Sequence, residues 1–173
     1  MLTVEDGTGL LNADSYISVA DATTYLTNFG SGDAWAAVDS ATQEVLLRKS
    51  TRDLDTLFAG SYASKLLKAT QSLLWPREPF TDANGRQTSG LPREVGYAVA
   101  ELALINSTTD VTGPGDRTGM VKLERTVLDA IESRLEYFAP SSTHEMAIRK
   151  VSLLLKPFLF GGSSAISASI VRG

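Results

Sequence analysis

Apolar side chains recur every three to four residues in several stretches of this chain, and most of those stretches are bracketed by residues that start and stop helices. Val19, Ala22, Leu26 and Phe29 share one stripe with Tyr25 at its flank, which predicts a helix over 19–29. Ser18 stands as its N-cap, Asp21 as the capping-box partner and Gly30 as its stop. After a break at Ser31-Gly32-Asp33 and a short turn at 34–38, Ser40 and Gln43 form a second capping box and open a helix over 41–58. Its stripe is Leu47, Leu54 and Phe58, widened by Val45, Leu46 and Leu57. Pro92 fits the first position of a helix running to 105, with Val95, Val99 and Leu102 inward. Gly96, Ala98, Ala100 and Ala103 on that helix let a neighbour approach closely. Ser142 with Glu145 opens a further helix over 143–156, whose face is Ile148, Val151, Leu154 and Leu155.

Between these helices the periodicity changes. Residues 1–17 are polar and glycine-punctuated and read as an extended arm. Residues 64–75 read as helical up to the restriction that Pro76 imposes on Trp75. Asn84-Gly85 is a strong turn signal. Residues 107–119, rich in Thr, Gly, Asp and Pro, read as a loop that a partner would order. Residues 120–138 carry two readings. Leu123, Val127, Ile131 and Leu135 are spaced by four, as in a helix; Val121, Leu123 and Arg125, then Leu135 and Tyr137, alternate as in two short strands. Gly161-Gly162-Ser163-Ser164 is a hinge before a short segment of β character. The expected fold is mainly α, a small bundle of about four helices with extended N- and C-terminal arms. The expected organisation is an arm at 1–17, a helical domain at 18–160 and a partner-binding tail at 161–173.

Composition narrows the function. The 173 residues contain no cysteine, which excludes a disulfide scaffold, a thiolate zinc site and a cysteine nucleophile. With 16 basic and 20 acidic residues the net charge is −4, which lowers the expectation of a phosphate-gripping protein, although it leaves room for a local basic patch. Met1 precedes an acidic stretch rather than a signal peptide, and no apolar run approaches a membrane span.

Candidate chemistry is sparse. His144, the one histidine, falls on the first turn of an expected helix and has no G-x-S-x-G partner. Gly7-Thr8-Gly9 lacks the rest of a phosphate-loop pattern, and the same holds for Gly113-Pro114-Gly115. Glu5 and Asp6 lie in the arm; Asp53 and Asp55 point apart on a helix. No enzyme activity, cofactor or metal site is expected. Trp75-Pro76-Arg77-Glu78 is the most distinctive internal cluster: Trp75 reads as a structural anchor, with Arg77 paired to a carboxylate. The competing reading stacks Trp75 on a nucleic-acid base and sets Arg77 on a phosphate. Lys65 with Lys68, and Arg48, Lys49 and Arg52, read as solvated helix faces.

Several segments together carry a resemblance. They are Val4-Glu5-Asp6-Gly7-Thr8-Gly9 with Asn12-Ala13-Asp14-Ser15-Tyr16, Trp35 ahead of the helix ending Arg52-Asp53-Leu54-Asp55, and Gln71-Ser72-Leu73-Leu74-Trp75-Pro76-Arg77. Leu91-Pro92, and Leu153-Leu154-Leu155-Lys156-Pro157-Phe158-Leu159 before Gly161-Gly162, complete the set. The chain resembles the head-to-tail adaptors, or head completion proteins, of tailed phages, whose members often carry the label DnaT-like single-stranded-DNA-binding protein. The resemblance implies a β-hairpin at 120–138, although the spacing here is longer and more helix-like than in the family. It implies a virion protein of the bacteriophage neck, assembled in the host cytoplasm as a homo-oligomeric ring of about twelve copies. Its partners would be itself, the portal and a downstream neck or tail protein, with double-stranded DNA passing the lumen unbound and no membrane contact. Ile166, Ile170, Val171 and Arg172 of the tail would then contact the portal or a neighbouring subunit. The alternative is a single-stranded-DNA-binding replication accessory protein, with salt-sensitive affinity and stacking at Trp75 or Trp35.

Overall fold

In a computed structural model, which describes residues 1–109, 124–128, 131–135 and 143–160, the chain is mainly helical. The helices are α1 (Val19–Asn28), α2 (Gly32–Ala36), α3 (Ser40–Phe58), α4 (Arg93–Asn106) and α5 (Thr143–Leu155), the last closing in a 3-10 turn at Lys156–Phe158. Two short antiparallel hairpins accompany them: β1 (Phe80–Thr81) with β2 (Gln87–Thr88), and β3 (Glu124–Leu128) with β4 (Ile131–Leu135). Within 120–138, the described residues 124–128 and 131–135 follow the strand reading. No helix among the described residues is long and apolar enough to cross a membrane.

Helix α4 is the hub. Its residues from Val95 to Ala103, Tyr97 excepted, are buried, as expected of a helix apolar on nearly every side. Helices α1, α3 and α5 all pack on it. Gly96 lets the N-terminal segment cross at close range: a Cβ there would stand 3.2 Å from the Tyr16 carbonyl oxygen and 3.4 Å from Ile17 Cβ. The core is completed by Leu26, Trp35, Leu47, Leu54, Val151 and Leu155, each inaccessible to solvent. A second aromatic layer seals one end. The Trp75 ring meets Tyr62 edge-on at 5.6 Å and Phe158 edge-on at 5.7 Å.

Several expectations need correction. Residues 1–17 are not a free arm. Val4 bridges Ser15, Tyr16 and Ile17 enter the core, and Arg48 on α3 holds Asp14 at 2.7 Å. Glu5 is the reason the glycine-rich turn closes. Its buried carboxylate accepts the N–H groups of Gly7 at 3.0 Å, Gly9 at 2.8 Å and Leu10 at 2.8 Å. Gly7 and Gly9 adopt φ of 92° and 76°, which lets their N–H groups point inward. The N–H groups of this glycine-rich turn are therefore taken by the chain's own anion.

The α3 cap is Asp39, which accepts the Thr42 N–H at 3.0 Å; Gln43 instead donates to the Trp35 carbonyl. Residues 64–75 form no helix, because their backbone groups are spent on neighbours: Leu67 donates to Pro76, and Ser72 to Leu10. Val45 and Leu57, expected in the α3 stripe, are exposed, since α4 covers only the opposite side of that helix. The tail 161–173 lies outside the described residues, as does the part of the expected 107–119 loop beyond Thr109.

Glu5→Ala leaves three N–H groups without their acceptor and should cost about 1–3 kcal/mol or more in urea unfolding. Glu5→Gln, which keeps one acceptor oxygen, should cost less; equal midpoints for the wild type and both variants would refute the role given to this carboxylate.

Candidate nucleic-acid interface

An open groove of about 380 Å³ runs between α1 and the start of α4. Helix α1 contributes Asp21, Thr24, Tyr25, Asn28 and, just beyond its end, Phe29; α4 contributes Arg93, Gly96 and Tyr97. The α1 positions are spaced by three and four, so they form one continuous face. Its floor is aromatic. Tyr25 and Tyr97 stack with centroids 4.2 Å apart and planes 14° apart, and Phe29 leans on Tyr25 at 4.8 Å. Phe29 is 70% exposed, although periodicity assigns it to the buried stripe of α1. The helix ends one residue earlier, at Asn28, so Phe29 as C-cap leaves the helical path and its ring turns outward.

The floor is held from within. The Tyr25 hydroxyl donates to Glu101 on α4 at 3.0 Å, and Lys150 on α5 donates to the other oxygen of that buried carboxylate at 2.6 Å. Burial, then the Glu101 charge, raises the Tyr25 phenol above its ordinary pKa, so it stays a hydrogen-bond donor. Tyr16, also in the groove wall, is held in the same way. Its hydroxyl donates to the Asp55 carboxylate of α3 at 2.7 Å and accepts the backbone N–H of Trp75 at 3.0 Å. Asp55 also accepts the Leu74 N–H at 3.0 Å. Burial lifts the Asp55 pKa to about 6, with these hydrogen bonds opposing the shift. Asp53, two residues away, faces α4 through Asn106, so the two carboxylates do not converge. Among the described residues no group of His, Asp and Glu side chains could hold a metal ion.

The residues singled out from the sequence lie elsewhere. Trp75 and Trp35 are wholly buried, the latter donating its indole N–H to Thr23, so neither face can meet a base. Among the described residues Arg77 forms no ion pair with a carboxylate. Its guanidinium donates to the carbonyls of Ala63, Ser64 and Leu74 and lies 5.5 Å from the Tyr62 ring centre, tying two loops together. Arg48 is spent on Asp14 and Glu44. His144 falls on the first turn of α5. Ile166, Ile170, Val171 and Arg172 lie outside the described residues. Sequence reasoning passed over Arg93, Tyr97 and the exposure of Phe29; the one available signal was Gly30, which ends α1 before the ring.

The Asp55 shift has a defined consequence. Between pH 4 and 6 the folded protein keeps a proton that the unfolded chain has lost, so this group's stabilisation is complete below about pH 4 and disappears through pH 6. Asp55→Asn keeps an acceptor without the charge. Its stability relative to wild type should rise with pH across that window by up to about 3 kcal/mol in chemical denaturation. A flat difference would contradict the buried carboxylate.

A search of curated proteins and of solved structures returns no match to the chain. A family model described as "Putative DnaT-like ssDNA binding protein" matches residues 1–173. That description corrects the phage reading. It speaks of DNA binding and nothing in it supports a virion protein, a head-tail connector of the neck, portal binding or a dodecameric ring. The first seventeen residues, read from sequence as an extended arm, are folded against α3 and α4 of their own chain.

Proposed function

Because the chain belongs to the DnaT-like ssDNA binding family, we propose that it is a single-stranded-DNA-binding accessory protein that holds the strand in the α1–α4 groove. The observation that carries this reading is the exposed Phe29 ring beside the Tyr25–Tyr97 stack in an open groove. Unpaired bases bind to such aromatic faces, whereas a duplex keeps its base faces stacked on each other. Base–aromatic stacking is worth about 1–3 kcal/mol per base. The groove's size sits at the small end of ligand sites, which suits one or two nucleotides rather than a wrapped strand.

Electrostatics plays a minor part in this reading. Arg93 is the cation lining the groove; its side chain is 76% exposed and only loosely associated with Glu94 at 3.6 Å. It is available to one phosphate. A chain of net charge −4 cannot rely on neutralising many more. Binding is therefore modest and dominated by stacking.

Fluorescence anisotropy with a labelled ten-nucleotide single strand and the matching duplex tests this. The single strand should bind and the duplex should not. Phe29→Ala should weaken binding by about 5- to 150-fold, and log Kobs against log salt should slope at about −0.7, one phosphate. Binding unchanged by Phe29→Ala would refute the groove as the contact surface.

A further inference from the structure

The groove has a second edge whose chemistry differs from its aromatic floor. Asp21, Thr24 and Asn28 follow one another along α1 on the face that also carries Tyr25 and Phe29, and all three are exposed. Tyr97 is partly exposed and stacks on the buried Tyr25, one helical turn from Asp21, so a base lying on the Tyr97 ring presents its hydrogen-bonding edge toward this row. The row is biased to acceptors. Asp21 is a carboxylate and accepts only; one oxygen takes the Ser18 hydroxyl at 2.6 Å, and the carboxylate keeps lone pairs to spare. Thr24 donates its hydroxyl hydrogen to the Ala20 carbonyl at 2.9 Å, which leaves oxygen lone pairs toward the groove. Asn28 offers both an acceptor and donors.

Resting on the ssDNA reading above, we propose that this row makes the groove selective for bases that carry exocyclic amino groups, with Asp21 as the specificity-determining residue. Cytosine presents its N4 amino group as a donor, which a carboxylate accepts; thymine presents O4, an acceptor, at the same place. The two pyrimidines have rings of similar size and the same backbone, so stacking and phosphate contacts are shared and the edge decides between them. An acidic side chain near the strand costs some affinity for every phosphate. Base selectivity is what it returns, and it sets the strand with bases inward and phosphates toward Arg93.

Competition between unlabelled ten-nucleotide oligodeoxycytidylate and oligothymidylate, at neutral pH and on the full chain, tests the proposal. Oligodeoxycytidylate should bind at least about fivefold more tightly, within the range of one charge-assisted hydrogen bond. Asp21→Asn keeps an acceptor for Ser18 and gains a donor that suits thymine O4. It should bring the ratio to about one while its thermal unfolding stays near wild type. Thr24→Val should lower the ratio partway as a second check. Equal affinities, or tighter binding of the thymidine strand, would overturn the selectivity and leave the groove reading standing. Failure of both strands to bind would remove the two together.

Discussion

The Asp55 carboxylate gathers three distant parts of the chain at one point. It takes the hydroxyl of Tyr16 and the N–H of Leu74, while that hydroxyl in turn takes the N–H of Trp75. Without this junction the N-terminal segment would have no fixed height over α4, and Trp75 no fixed place against Tyr62 and Phe158. The carboxylate is held where its charge is costly, as its raised pKa records, yet three hydrogen bonds in one small volume specify a single arrangement. The groove inherits that arrangement, since Tyr16 and Ile17 form part of its wall.

A similar logic runs through the other buried charges. Glu5 closes the N-terminal turn from inside, Glu101 fixes Tyr25 and meets Lys150, and Asp82 organises the β1–β2 turn by accepting from Asn84 and Arg86. Each carboxylate is surrounded by donors and each connects chain segments or completes a turn. What the α1–α4 groove shows to solvent is the Phe29 ring with the loosely held Arg93 beside it. On the proposed reading the protein spends its buried charges on its own architecture and meets DNA chiefly through rings.

The helices were legible because their apolar residues recur at helical spacing and their ends carry Ser, Gly and Pro at positions that favour caps. Ser18, for example, caps α1 as its sequence indicates, and Val95, Val99 and Leu102 all face inward. The turn at Asn84-Gly85 likewise appears between β1 and β2. Tertiary partners decided the rest. Residues 1–17 look extended and solvated in sequence, yet two of them are core residues because Gly96 leaves room for them. Arg77 looks like a phosphate ligand or half of an ion pair, but three loop carbonyls claim it. Phe29 looks buried by periodicity and is exposed by one residue of helix termination. The candidate site was therefore the least legible part: it depends on where two helices leave a gap, which no local pattern encodes. The tryptophans drew attention as the most distinctive aromatics, and their size is the physical reason they are buried rather than displayed.

Photo-crosslinking with a strand carrying 5-iododeoxycytidine, followed by peptide mass spectrometry, addresses the central claim most directly, because it reports which side chains touch an unpaired base. The account places the crosslinks on Phe29 or Tyr97, the rings of the stack that reach solvent, and not on the buried Tyr25. Crosslinks confined to peptides that do not line the α1–α4 groove would contradict it.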